Sequence, residues 1–301
     1  MRRSTIKRLT TVLLLMAATL SSNAQLNPFQ ASYFQNRYLY NPATAGMSDG
    51  LNISTGYRQQ WNNIPGGPKN MILAADLKPS DRVGLGLNIA DDQSGLIRQT
   101  RIMGTYAYHL PLGENNQQLH FGLSFGVDDS RVNYAAIHGD VTDEQVAQYN
   151  QLKAYIDGDF GIAYTNNHLY IGSAIPNLKS AFFKTSDSRF DADRLLFVGM
   201  ASYKIPLQSD DRSFVLEPLA GYRIVKGYDN IIDAGVNFTL NNYGLYMESV
   251  YHSSKSLGIA FGLDQDAYAI NLAYNLETGP LAQYTQGAFE LGLKLRLFKK
   301  P

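Results

Sequence analysis

The stretch NPATAGMSDGLNISTGYRQQWNNIPGGP, residues 41–68, decides the fold. From Leu51 it alternates, with Leu51, Ile53, Thr55 and Tyr57 on one face and Asn52, Ser54, Gly56 and Arg58 on the other. A period of two is the mark of a strand with one apolar and one polar side. The alternation breaks near Trp61, the only tryptophan, and at the turn-forming run Pro65, Gly66, Gly67, Pro68. Before it, Asn41, Pro42, Ala43 and Gly46 read as a structural turn that launches the first strand from the periplasmic side of a membrane.

The same pattern recurs outward from this stretch. Apolar residues alternate with Gly, Asn or charge over 71–77, 83–89, 119–127, 156–164, 232–238, 243–251, 257–263, 268–274 and 289–297. Residues 97–109 and 194–203 have no clear facing, and are strands by length and turn signals. Residues 168–175 and 213–223 complete the series, with Pro218 an oddity because proline cannot donate to a ladder. No segment after residue 24 approaches the roughly 20 apolar residues of a membrane helix. In lipid, only helices and closed barrels satisfy every backbone group. The reading is therefore all-β: an antiparallel transmembrane β-barrel of about 14 strands, an even number as single-chain bacterial barrels have. A soluble β-sandwich would also alternate, and is the structural rival.

Connection lengths fix the orientation. Outer-membrane barrels keep short turns in the periplasm and longer loops outside. The predicted external set is 60–69, 91–96, 129–153, 176–193, 225–228, 252–255 and 277–286. The opposite set is mostly tight, at 78–81, 165–167, 241–242 and 264–266, with longer connections near Tyr108 and Tyr203. Residues 142–149 carry a capping-box signal for a short helix, Thr142 with Gln145.

Three regions follow. Residues 1–24 read as a secretory signal peptide, with Arg2, Arg3, Lys7 and Arg8 before a short apolar run, and Ser22 and Ala24 at cleavage offsets. Residues 25–50, polar and aromatic without a period, form an N-terminal arm near or in the lumen. Residues 51–301 form the barrel.

Composition excludes several functions. With 26 basic and 26 acidic residues there is no positive excess for phosphates, so no nucleic-acid partner is expected. The absence of cysteine removes disulfides, thiolate sites and a cysteine nucleophile. The sequence G-x-S-x-G at 122–126 mimics a nucleophile elbow, but that motif needs a strand-to-helix turn. Here Ser124 lies inside an alternating strand, and the three residues read as small lumen side chains. Five histidines lack metal-ligand spacing. The acidic pairs Asp91–Asp92 and Asp128–Asp129 and the run 187–193 match no calcium loop and read as solvated loop charge. No catalytic residue, metal or cofactor is expected.

The polar face carries Arg58, Asp76, Asp157, Asp159, Glu217, Arg223, Asp233, Glu248, Glu290, Lys294 and Arg296. Charges of both signs in a partly dry lumen must pair, since an unpaired buried charge costs several kcal/mol. An internal salt-bridge network and a filled lumen follow, with no general diffusion pore. Arg58, Gln59, Gln60 and Trp61, with Pro65, Gly66, Gly67 and Pro68, form the candidate partner-binding hairpin, as Trp and Arg favour interface hot spots. The simpler reading of Trp61 is an aromatic anchor at the membrane interface.

NPATAG at 41–46, YRQQW at 57–61 and PGGPK at 65–69, in that order, resemble the PorP/SprF family of type IX secretion outer-membrane proteins. VGLGLNIADDQSG at 83–95, IPNL at 175–178 and the ending FELGLKLRLF at 289–298 extend the resemblance over the mature chain. Asn70 departs from the threonine many members carry. The resemblance implies a Gram-negative, Bacteroidetes-like outer membrane, with contact to its lipid. It implies a role in secreting or attaching large surface proteins with C-terminal sorting domains, such as gliding adhesins. Periplasmic peptidoglycan-binding or motor-ring components are the implied partners. Because Asn-Pro-Ala also precedes the first strand of FadL-like proteins, a transporter of small hydrophobic ligands is the alternative.

Overall fold

The computed structural model describes residues 29, 31–61, 66–113, 116–133, 144–182, 195–209, 212–279, 282 and 286–298. The segment read as a signal peptide, Pro65, Thr142 and the acidic run 187–193 lie outside them. The strands are β1 (Leu51–Gln60), β2 (Lys69–Ser80), β3 (Val83–Ser94), β4 (Ile97–Pro111), β5 (Gln118–Val132), β6 (Tyr155–Thr165) and β7 (Leu169–Ile175). After them come β8 (Leu195–Tyr203, continued as Ile205–Ser209), β9 (Arg212–Val225), β10 (Ile231–Leu240), β11 (Leu245–His252), β12 (Ser256–Asp264), β13 (Tyr268–Glu277) and β14 (Ala288–Leu297).

Both segments of β8 pair with β9 in one continuous register, Ser202 opposite Leu219 and Ile205 opposite Leu216. They are one strand, interrupted at Lys204. The break falls beside Pro218, which has no N–H to give to the ladder. Counted so, fourteen antiparallel strands follow one another in chain order. The ring closes by ten consecutive pairs, from Leu51↔Leu297 to Gln60↔Ala288.

Facing follows from the pleat. Leu123, Phe125, Ile232 and Phe261 are among the most exposed large apolar side chains, and all point outward. Asn52, His120, Asp233, Glu248 and Glu290, in the alternate register positions, are buried inside. This inversion, apolar out and polar in, suits a wall whose outer solvent is lipid. β4 and β8, ambiguous in sequence, are regular strands. Their lumen sides carry Met103, Ala107, Val198 and Met200, and their outer sides carry Gly104, Gly199 and Ala201. The usual contrast is therefore absent there.

Two predicted connections are strand instead. Residues 91–94 belong to β3, which turns to β4 through Gly95 and Leu96 alone, with Gly95 at φ 58°. Asp91 is held by Arg98 and Thr100 across that hairpin, and Asp92 accepts from Asn70. Asp128, grouped with loop charge in the sequence, is fully buried in the lumen. It accepts from Gln99 and Tyr155. The connection expected near Tyr203 is likewise replaced by the continuation of β8. Helices α2 (Glu144–Gln151) and α3 (Leu178–Phe182) lie in the two longest connections.

Candidate functional site

The arm folds into the barrel as a plug. It consists of a short helix α1 (Ala31–Phe34) and two 3-10 turns, Arg37–Leu39 and Pro42–Thr44. The Asn-Pro-Ala turn is built locally: Asn41 Oδ1 accepts from the Ala43 amide at 3.0 Å, and Pro42 pre-sets the first helical position. Asn41 Nδ2 donates to the Ile162 carbonyl at 3.1 Å. Gly46, at φ 69°, donates its amide to Asp76 at 3.1 Å. The turn lies at the short-turn end of β2 and β3, Gly46 against Leu77 and Gly84, with Asn41, Pro42, Ala43 and Thr44 buried inside the wall.

Glycines in the wall make room for it. A Cβ on Gly122 of β5 would lie 2.2 Å from the Ala43 nitrogen, and one on Gly161 of β6 2.0 Å from Asn41 Oδ1. A Cβ on Gly84 of β3 would meet the Ala45 carbonyl at 1.9 Å. Gly122, the first glycine of the G-x-S-x-G sequence, is thus part of a cradle. Ser124 sits within hydrogen-bond distance of Thr105 (2.7 Å), which in turn contacts the Tyr38 hydroxyl (2.8 Å). Burial pushes the Tyr38 phenol up to about 12.

Around the cradle the plug meets an apolar patch of the wall. Tyr33 and Ala43 pack with Ala163, Tyr170, Ala174, Val198, Met200, Leu219 and Val250. A 14-stranded ring is wider than an eight-stranded one, whose own side chains fill it. Here the chain supplies the missing core from its arm.

Polar anchors ring this core. Arg37 donates to Glu217 at 2.5 Å and to Ser202 at 2.9 Å, and its guanidinium stacks 4.1 Å from the Tyr170 ring centre. Tyr33 donates to Asp233 at 3.0 Å, and Gln35 to Glu248 at 2.9 Å. Asp233 also accepts from Arg223 at 2.6 Å and contacts His252 at 2.6 Å, all three side chains being buried. His109 and His120 face each other across the ladder, Nδ1 to Nδ1 at 2.7 Å, with His109 Nε2 on the Ala45 carbonyl. Of the histidines, His109 and His252 thus contact the arm directly, through the Ala45 carbonyl and the Tyr33 ring. Among the described residues no group of acids and histidines could hold a metal.

The eleven lumen charges do line the interior, but not as one network. Arg58 pairs with Glu290 at 3.4 Å, and Arg223 with Asp233. Asp159, Glu217 and Arg296 find partners the wall pattern did not offer: Arg101, Arg37 and Asp264. Asp76, Asp157 and Glu248 accept from neutral groups, namely Gly46 and Asn52, the Gly158 and Lys179 amides, and Gln35. Lys294 donates to the Gln35 carbonyl at 3.4 Å. The arm supplies Gly46, Gln35 and Arg37 and α3 the Lys179 amide, so separate small clusters, such as Tyr33–Asp233–Arg223–His252, replace one network.

The proposed hairpin site divides. Arg58 is buried in the lumen and is no part of an outer surface. Gln59, Gln60 and Trp61 are half-buried at the rim, Gly66 is exposed, and Gly67 and Pro68 are intermediate. Trp61 adopts φ 52° and donates its amide to Gly287 at 2.8 Å, tying the β1–β2 loop to the β13–β14 loop. Its indole N–H is buried without a hydrogen-bond partner among the described residues.

A family model described as type IX secretion system membrane protein PorP/SprF matches residues 22–295. The chain belongs to the PorP/SprF family. It is an outer-membrane β-barrel associated with type IX secretion, and neither family nor fold is that of an enzyme. No curated protein matches its sequence. Among solved structures it is similar to the toluene transporter TbuX of Ralstonia pickettii (12% identity, TM-score 0.49), covering 91% of this chain and 95% of that one. It is also similar to the outer-membrane protein Omp33 of Acinetobacter baumannii (8% identity, TM-score 0.47), covering 84% and 100%. Likenesses this distant leave the functional reading to the PorP/SprF family and the plug.

Proposed function

We propose that this PorP/SprF protein is a non-conducting accessory of type IX secretion that works through its two rims. Its external loops hold or pass on the C-terminal sorting domain of a large surface protein, a gliding adhesin being the type of client. Its periplasmic rim touches peptidoglycan-binding or motor-ring components of the same system. The observation that supports this reading is the plug. An arm anchored by Arg37, Tyr33, Gln35, Tyr38 and Asn41 occupies the path a solute would take, which leaves loops and turns as the working surfaces.

The test is Trp61→Ala. Barrel assembly, followed by heat-modifiable migration in a gel, should stay intact, while surface display of the client falls. Loss of assembly would instead make Trp61 an interfacial anchor. The transporter alternative has one observation in its favour, a chamber of about 170 Å³ between the arm and β2–β4, partly lined by Phe29, Leu39, Ile72 and Met103. That is near the 150 Å³ of an apolar cavity known to take benzene. Arg101 and Asn88 also line it, however, and the β1–β14 seam is paired throughout. Both oppose a dry hydrocarbon path with a lateral gap.

A further inference from the structure

In a closed barrel every strand has two neighbours, but beyond Lys204 the β8 strand pairs on one side only among the described residues. β7 begins at Leu169, opposite Tyr203, and the Lys204 amide donates to the His168 carbonyl at 2.8 Å. β8 then runs on from Ile205 to Ser209, pairing only with β9. Five residues at about 3.3 Å each extend ~16 Å along the strand past the end of β7. On its other side β9 outruns β10 only by Arg212 and Ser213, since Phe214 already pairs with Leu240. The β8–β9 hairpin therefore overhangs the end of β7 at the short-turn rim, the periplasmic one by the loop-length rule, while β10 flanks it on the other side.

The open edge has a defined chemistry. Along an antiparallel strand, successive residues aim their backbone groups to opposite sides. Lys204 aims toward β7, so 206 and 208 aim the same way, into the space where β7 has ended. Position 206 is proline, which removes one donor and guards the edge against indiscriminate pairing. What remains is the Pro206 carbonyl with the N–H and carbonyl of Gln208. Beside them Ile205 and Leu207 are exposed, at 36% and 46%, on the outward face. An edge of main-chain donors and acceptors flanked by alternate apolar side chains selects one kind of occupant, an extended polypeptide.

We infer that the β8–β9 hairpin is a docking edge on which a periplasmic component of the secretion machinery adds a β-strand alongside Ile205–Ser209. This rests on the proposed periplasmic contact and locates it. The added strand continues the line of β7, accepts from Gln208, donates to Pro206 and Gln208, and sets its own side chains next to Ile205 and Leu207.

The test places a photo-crosslinking amino acid at Leu207 in the full chain in native envelopes, with the adduct identified by mass spectrometry. Leu112, similarly exposed on the β4–β5 turn of the same rim, serves as the control position. The expected adduct is an extended segment of one periplasmic protein of the system, at least tenfold above the Leu112 level. Gln208→Ala, which keeps the amide, should leave the yield unchanged, and Gln208→Pro, which removes it, should lower it at least tenfold. Heat-modifiable migration verifies that each variant assembles. Adducts with lipid alone, or a yield equal to that at Leu112, would overturn the inference. So would equal yields from the alanine and proline variants, because side-chain docking does not distinguish them. Client display, scored in the same cells, separates the two levels. An adduct that depends on the Gln208 amide while display is unchanged keeps the docking edge and refutes the role in display.

Discussion

Replacing Arg37 by alanine removes the arm's ion pair to the wall. Its guanidinium is 16% exposed and Glu217 5%, at 2.5 Å from each other. Deleting one partner of a buried ion pair costs about 3–5 kcal/mol, mostly because the other charge is stranded. Ser202 still donates to Glu217 at 2.7 Å and the guanidinium is partly wet, so the low end, about 3 kcal/mol, applies. At 1.4 kcal/mol per tenfold, the undocked plug becomes about a hundredfold more populated. The chain has no cysteine, so Thr44→Cys, at a buried plug position, gives a single reporter thiol. Its labelling by a hydrophilic maleimide in detergent should accelerate about a hundredfold on Arg37→Ala. Adding Glu217→Gln to the double variant removes the stranded charge and should recover part of the protection. A rate change below threefold, or no coupling between the two positions, would refute the reasoning.

Other outcomes follow from the same contacts. Gly122→Val should expel the Asn-Pro-Ala turn and raise Thr44→Cys labelling. Gly104→Val should not, because a Cβ there meets only the Phe125 carbonyl at 3.8 Å. Arg223→Met leaves Asp233 buried with only His252 and Tyr33 as partners, and should cost about 3–5 kcal/mol, read as a lower midpoint of heat modification. Alkaline titration tests Tyr38: the docked phenol ionises near 12 and the released one near 10. The undocked form therefore loses its proton first, and docking weakens as pH rises from about 10 to 12. The ultraviolet difference between wild type and Tyr38→Phe should show one phenol titrating near 12, not near 10.

Much of the barrel was legible because lipid forces a strict pattern: Leu119 to Val127 and Phe289 to Leu297 can face only one way. β4 and β8 were not, since Met103, Val198 and Met200 answer to the plug and not to water. The plug itself has no period to read. Arg37, Tyr33 and Gln35 matter through partners about 165–213 residues away in the chain, which no local spacing reveals. His109 and His120 could have been found from sequence: they lie at matched distances from one hairpin turn and are direct register partners. The second segment of β8 was hidden because the stretch after Tyr203, which carries Pro206, read as a longer connection, whereas Ile205–Ser209 pairs with β9.

The plugged lumen is the central claim, and planar-bilayer recording of the purified full-length protein tests it most directly. Wild type should insert without a steady porin-like open state, while the Arg37→Ala, Gly122→Val double variant should show openings as the arm leaves. Porin-like conductance from the wild-type protein would contradict it.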